Sequence, residues 1–365
     1  MTEKLYLEEF LKEFPLTNYD WKLISHGIRS NIFKINKKNN NNSDNNDNND
    51  EDSIYIKELL INDNNENNEI KISKYKQIFK EIYLFIKLKK YDYFSKEIEF
   101  KISKDKNYAH LITWGNTTSL KALIGDKKYN YLDDKELIKH IINQIAFGLY
   151  ILHSNNIIHH DIKPSNILIN NKGYMSIIDF GSTIFKGEQT ISFTLHYYAA
   201  PELLLGYNKN VDEKVDMWGL GVIMLELYLK NNGIFHKEGI DKRVDQLNYI
   251  SQNFYVKNSI EKNELNNEYK LQLDKKILNE IGDKDAIELI YNLLSYDPKK
   301  RFSAREVLLK SKYLKKCENK KYLKNKAIEY PKDYDKIINN INHDKFIELL
   351  EKINNNWNTI YNCIF

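Results

Sequence analysis

The segment His159-His160-Asp161-Ile162-Lys163-Pro164-Ser165-Asn166, with Asp179-Phe180-Gly181 and Ala200-Pro201-Glu202 behind it, decides how the rest of the chain is read. It sets a proton acceptor, a cation suited to phosphate and two oxygen ligands for a metal on adjoining loops. A general base must lie within reach of the proton it takes, and phosphoryl transfer otherwise depends on positioning and charge neutralisation. Asp161 is the natural acceptor for a substrate hydroxyl. Lys163, two residues on in an extended loop, can point the same way toward a transferring phosphate, while Asn166 and Asp179 supply the hard oxygen ligands that Mg2+ prefers. Singly, each would pass for a solvated charge or a helix cap; the joint spacing makes them a set.

The run resembles the catalytic loop of a protein kinase, and the resemblance covers nearly all of residues 20–313. It implies an α+β, bilobal protein kinase fold, with a small β-rich lobe carrying one main helix and a large, mainly α-helical lobe. It also implies an ATP-dependent, Mg2+-dependent phosphotransferase, with Asp161 and Lys163 catalytic and Asn166 and Asp179 holding metal. Glu202 and Arg301 match the family's buried ion pair, and Asp216, in Asp216-Met217-Trp218-Gly219-Leu220-Gly221, resembles the helix aspartate that anchors the catalytic-loop backbone. Toward the N-terminus, Ile24-Ser25-His26-Gly27-Ile28-Arg29-Ser30-Asn31-Ile32 is similar to the glycine-rich loop, with serine at the first and third glycine positions. Only Gly27 remains there to let backbone approach phosphate. Lys57 fits the strand lysine that binds the α and β phosphates, and Glu81 its helix partner. The same resemblance implies cofactor contacts from Ile24, Ser25, Gly27, Ile32, Thr113, Gly115 and Leu168. Tyr55 departs from the family, which has a small residue above the adenine; the phenol must turn away or reshape the pocket.

Lys163-Pro164 is closer to serine/threonine than to tyrosine kinases. Pro201-Glu202-Leu203-Leu204-Leu205-Gly206, Val215-Asp216-Met217-Trp218 and Asp245-Gln246-Leu247 resemble the cyclin-dependent and mitogen-activated group. Three departures limit the carry-over. His160 replaces the arginine that grips a phosphorylated activation loop, and a neutral imidazole is a poor substitute for a bidentate guanidinium. Thr194-Leu195-His196-Tyr197-Tyr198-Ala199-Ala200 is one residue longer than its counterpart and lacks the arginine of proline-directed members. Ile28 and Arg29 stand where many cyclin-dependent kinases carry a phosphorylatable pair. The helix bearing Glu81 lacks a recognisable cyclin-contact sequence, so no cyclin partner is expected. A pseudokinase scaffold and a small-molecule kinase are the other readings; Ala-Pro-Glu and Lys163-Pro164 argue against the second.

Length and composition set limits that this reading has to satisfy. The 365 residues exceed the roughly 250–300 at which single cores stop growing, so two lobes with extensions are expected, and 42% hydrophobic content allows a sizeable core. With 55 basic against 51 acidic side chains, the net charge of +4 argues for neither nucleic acid nor membrane as partner; protein substrates are expected. Cys317 and Cys363 alone make no disulfide framework or zinc site, which fits a reducing compartment, cytoplasmic and/or nuclear. Glu8-Glu9 interrupts the apolar N-terminus, which is not expected to be an export signal. The apolar run Met217–Leu225 is closed by Asp216 and Glu226, short of the roughly 18 residues a membrane span needs.

The expected organisation is an N-terminal extension at 1–19, a kinase domain at 20–313 and a C-terminal helical extension at 314–365. The domain divides into a small lobe at 20–113, a hinge at 114–117 and a large lobe at 118–313. Leu5, Phe10, Leu11 and Phe14 suit a short amphipathic helix ended by Pro15, either packed on the small lobe or docking a partner. Residues 38–52 and 62–69 are polar, Asn-rich runs read as flexible loops. Strands are expected within Trp21–Ile35, at Ile54–Lys57, Ile98–Ile102 and Ala109–Thr113, with a helix from Lys74 to Lys90. Phe346, Leu349, Leu350, Ile353 and Trp357 have helical spacing; docking of this tail on the large lobe is expected, with a partner surface as the alternative.

Overall fold

The computed structural model describes residues 19–26, 30–37, 54–61, 67–95, 98–115, 117–126, 131–170, 172–188, 196–206, 211–240, 242–257, 269–314 and 342–355. The helix expected at Leu5–Phe14, the Asn-rich run 38–52, Gly27, Ile28, Arg29, Thr194 and Trp357 lie outside these residues. Contacts divide the chain into two compact units, one of residues 1–91, 95–117 and 330–365, the other of 92–94 and 118–329.

The first unit is built on an antiparallel sheet of order β1-β2-β3-β5-β4, formed by β1 (Tyr19–His26), β2 (Ser30–Lys37), β3 (Ile54–Leu60), β4 (Ile98–Ile102) and β5 (Tyr108–Trp114). Side chains alternate between the faces of a strand. Phe33, Ile56 and Ile112 therefore form one buried row across β2, β3 and β5, and Ile32, Lys57 and Leu111 form the next row on the opposite face. Helix α1 (Asn68–Leu88) buries Tyr75, Ile78, Phe79 and Ile82. It starts six residues before the expected Lys74, because the Asn67 side chain accepts the Ile70 N–H at 2.9 Å and so satisfies one of the helix's unpaired amides. The end of the polar run 62–69 is thus a helix cap and first turn, not a loop.

The second unit is mainly helical. Its α2 (Lys135–Ser154), capped by Asp134, buries Ile138, Ile141, Ile142, Ile145, Leu149 and Leu152. Short strands β6 (Ile157–Ile158), β7 (Ile167–Asn170), β8 (Met175–Ile177) and β9 (Ile184–Phe185) pair β6 with β9 and β7 with β8. They hold the two loops of the opening motif in place. The apolar run around Trp218 is the core of α3 (Lys214–Leu229), buried on all sides. At Gly219 a Cβ would come within 2.6 Å of the Ile162 carbonyl, so the missing side chain lets α3 lie directly against the loop that holds Asp161 to Asn166.

The last described helix, α4 (His343–Asn355), belongs to the first unit. Phe346, Ile347 and Leu350 are buried, the Phe346 ring stacks on Tyr75 of α1 at 4.2 Å, and the Tyr75 hydroxyl and His343 Nδ1 are hydrogen-bonded at 3.2 Å. The expected docking on the large lobe is therefore corrected. Helical spacing identified the apolar face, but what that face meets is a property of the tertiary fold.

Candidate active site

In the second unit the catalytic loop hangs from a buried carboxylate. Asp216, in the first turn of α3, accepts the backbone N–H of His159 and of His160, each at 2.8 Å, and its Oδ2 lies 2.9 Å from His153 Nε2. Burial pushes the Asp216 carboxyl up, but the hydrogen bond and charge of His153 and the other donors outweigh it and hold the group below its ordinary value. The bonds fix His160 with φ +67, a conformation that turns the following residues out of the strand. Burial also lowers His160, against the pull of Asp216, so its imidazole is neutral near pH 7. His153 was not anticipated from the sequence; a lone histidine at a helix end carries no pattern that would mark it.

Beyond that turn, Asp161 is buried and its two oxygens differ. Oδ2 accepts from Lys163 Nζ at 2.6 Å and from Asn166 Nδ2 at 2.9 Å, whereas Oδ1 is buried with no hydrogen-bond partner among the described residues. Asn166 also donates to the Asp161 backbone carbonyl at 2.8 Å. Burial raises the Asp161 carboxyl above its usual range, against the pull of Lys163. One oxygen is thus oriented and the other left open as an acceptor.

Asn166 and Asp179 flank the β7–β8 pair. The Ile178 N–H bonds to the Asn166 carbonyl at 3.0 Å, which brings the segment leading into Asp179 alongside Asn166, and the Asp179 charge acts on Asp161. Asp179 has φ +66 and accepts the Gly181 N–H at 3.3 Å. His159 links the loops as well: its Nε2 lies 2.9 Å from the Ile178 carbonyl and its Nδ1 accepts the Asp161 N–H. Among the described residues no group of three or more His, Cys, Asp or Glu side chains could hold a metal. The donor set fits Mg2+ all the same, since that ion is held through one or two protein oxygens with substrate phosphates and water completing its shell. Asn166 directs its nitrogen at Asp161, which leaves Oδ1 not engaged there.

Around this loop, Glu202 and Arg301 pair in two parallel bonds of 2.7 and 3.0 Å. Arg301, fully buried, also donates to the carbonyls of Lys214 and Ser295 and lies over the Trp218 ring. Glu226 of α3 accepts from the Tyr198 hydroxyl and from the Gly233 and Ile234 N–H groups, tying the segment before Ala200-Pro201-Glu202 to the helix. No sequence motif pointed to this pair. Leu168 lies half-buried on β7 opposite Ser176.

In the first unit Lys57 and Glu81 form an ion pair at 2.5 Å, with Glu81 2% and Lys57 15% exposed. Ile32 lies directly opposite Lys57 on the neighbouring strand, and Thr113 opposite Tyr55. Ile24 sits in a bulge between the Leu23–Phe33 and Ser25–Ile32 pairs, exposed to 47%. Gly115 has φ +138, which a side chain would not tolerate.

The Protein kinase domain family matches residues 44–314 of the chain. The chain belongs to this family. Among curated relatives the chain is 34% identical over 196 residues to CTD kinase subunit alpha of Saccharomyces cerevisiae, covering 48% of this chain and 35% of that protein. It is 34% identical over 209 residues to cyclin-dependent kinase G-2 of Oryza sativa subsp. indica, covering 52% and 28%. To the mitogen-activated protein kinase HOG1 of Ustilaginoidea virens it is 30% identical over 213 residues, covering 54% and 57%. The chain therefore spans less than two thirds of the length of the relatives it matches. Protein kinases as a family use ATP and Mg2+, and the likeness to both cyclin-dependent and mitogen-activated kinases agrees with the subgroup read from the sequence.

Proposed function

We propose that this chain is a serine/threonine protein kinase that transfers the γ-phosphate of ATP to hydroxyl groups of protein substrates. The observation that carries the reading is the asymmetry of Asp161. Its Oδ2 is held by Lys163 and Asn166, while its buried Oδ1 has no partner among the described residues and can accept the proton of a substrate hydroxyl. The hydroxyl oxygen then bonds to the γ-phosphorus, the bond from that phosphorus to the bridging oxygen breaks, and ADP leaves with the bridging electron pair. Lys163 offsets charge on the phosphoryl group, and Lys57, oriented by Glu81, binds the α and β phosphates. Asn166 and Asp179 would hold Mg2+, which would supply further charge neutralisation.

Two features concern regulation. The buried, neutral His160 cannot grip a phosphorylated loop, so activity does not depend on phosphorylation there. The chain's own α4 covers part of α1, which supports a kinase that needs no cyclin to hold that helix. No helix among the described residues is long and apolar enough to cross a membrane. A reducing, intracellular setting remains part of the proposal.

The test is incubation of the purified chain with labelled ATP, Mg2+ and a general protein substrate. Label is expected on serine and threonine, falling at least 100-fold in Asp161→Asn. Equal labelling by both proteins would overturn the assignment.

A further inference from the structure

The side chain of Tyr55 has a definite place in the first unit. Tyr55 and Lys57 are two residues apart on β3 and share a face of the sheet. The phenol runs along that face, and its hydroxyl donates to the Thr117 carbonyl at 3.2 Å. Lys34, its neighbour on β2, places Nζ 5.7 Å from the ring centroid.

Along the strand, a ligand with its anionic end on Lys57 can extend in two directions. On one side lie Leu59, 5% exposed, and the buried Glu81 of α1, which already holds the lysine. On the other side lies Tyr55. A ligand that extends from Lys57 in this second direction passes the phenol, whose hydroxyl holds the Thr117 carbonyl.

Resting on the kinase reading above, we propose that Tyr55 is the specificity-determining residue of the nucleotide site: a latch, tied to Thr117, that a nucleoside base must open before it can sit beside Lys57. The latch lowers affinity for the base-bearing part of the nucleotide and leaves the triphosphate part alone. The phenol also competes with a planar base for the Thr117 carbonyl while the latch is closed.

Calorimetric titration of the full chain with Mg-ATP and with Mg-tripolyphosphate, which has no base, separates the two parts. Tyr55→Ala is expected to bind Mg-ATP about tenfold more tightly than the wild type, and Tyr55→Phe, which loses only the bond to Thr117, about fivefold more tightly. Tripolyphosphate should bind all three proteins equally and be lost in Lys57→Met. Equal or weaker binding of Mg-ATP by Tyr55→Ala, with Lys57-dependent tripolyphosphate binding intact, overturns the latch and spares the kinase reading. If the alanine chain does not fold, unchanged Mg-ATP affinity in Tyr55→Phe overturns it instead. Absence of Lys57-dependent binding of either ligand in any of these proteins overturns both.

Discussion

Asp216→Asn tests the link between α3 and the catalytic loop with the smallest change of shape. The carboxylate accepts three donors: the His160 N–H on Oδ1, and the His159 N–H and the His153 ring on Oδ2. An amide offers one oxygen. If it takes the Oδ2 position, its NH2 faces the His160 N–H; if it flips, the NH2 faces two donors. The better arrangement leaves one buried N–H unsatisfied, at a cost of about 1–3 kcal/mol, and weakens two charge-assisted bonds, so a loss of about 3 kcal/mol is expected. Because the folded-state value of Asp216 is depressed, its contribution is present above the unfolded value near 3.8 and is lost as pH falls through the folded one. The variant should therefore be weaker than wild type at pH 7, and the gap should close as pH falls below 3.8 and through the depressed folded-state value. Urea unfolding at several pH values measures this, and the phosphoryl-transfer assay should show kcat reduced as His159–Asp161 loosens. A difference below about 0.5 kcal/mol at pH 7, the range of ordinary surface substitutions, would refute the reasoning.

Phe346→Ala removes the ring stacked on Tyr75 and should destabilise the chain by about 3–5 kcal/mol in denaturant unfolding, with α1 amides losing hydrogen-exchange protection; a loss under 1 kcal/mol would mean that α4 does not hold α1. Burial pushes Glu226 up to about 7, against the pull of the Gly233 and Ile234 N–H groups. Between its ordinary 4.5 and that value the folded chain keeps a proton the unfolded chain has lost, so stability falls as pH rises through this window, by about 3 kcal/mol. Thermal melts from pH 5 to 8 should show this decline and should flatten in Glu226→Gln; parallel curves would contradict it.

The chain order alone marked the strands of the first unit, the helical character of the second and the candidate set in His159–Asn166, because each is written in local spacing: period-two alternation at Ile54–Lys57, helical spacing after Asp133, and adjacent functional groups in one loop; the short strands β6 to β9 carry no such pattern. One error was local, where the Asn67 cap extended α1 beyond its apolar pattern, and the other, the docking of α4, was tertiary. Tertiary structure decided what no spacing encodes: that His153 and two backbone amides meet on Asp216, that Asp161 has one tethered and one open oxygen, that the phenol of Tyr55 reaches Thr117, and that α4 packs on Tyr75. These contacts join residues far apart in the chain, where burial and hydrogen-bond satisfaction, rather than periodicity, choose the partner.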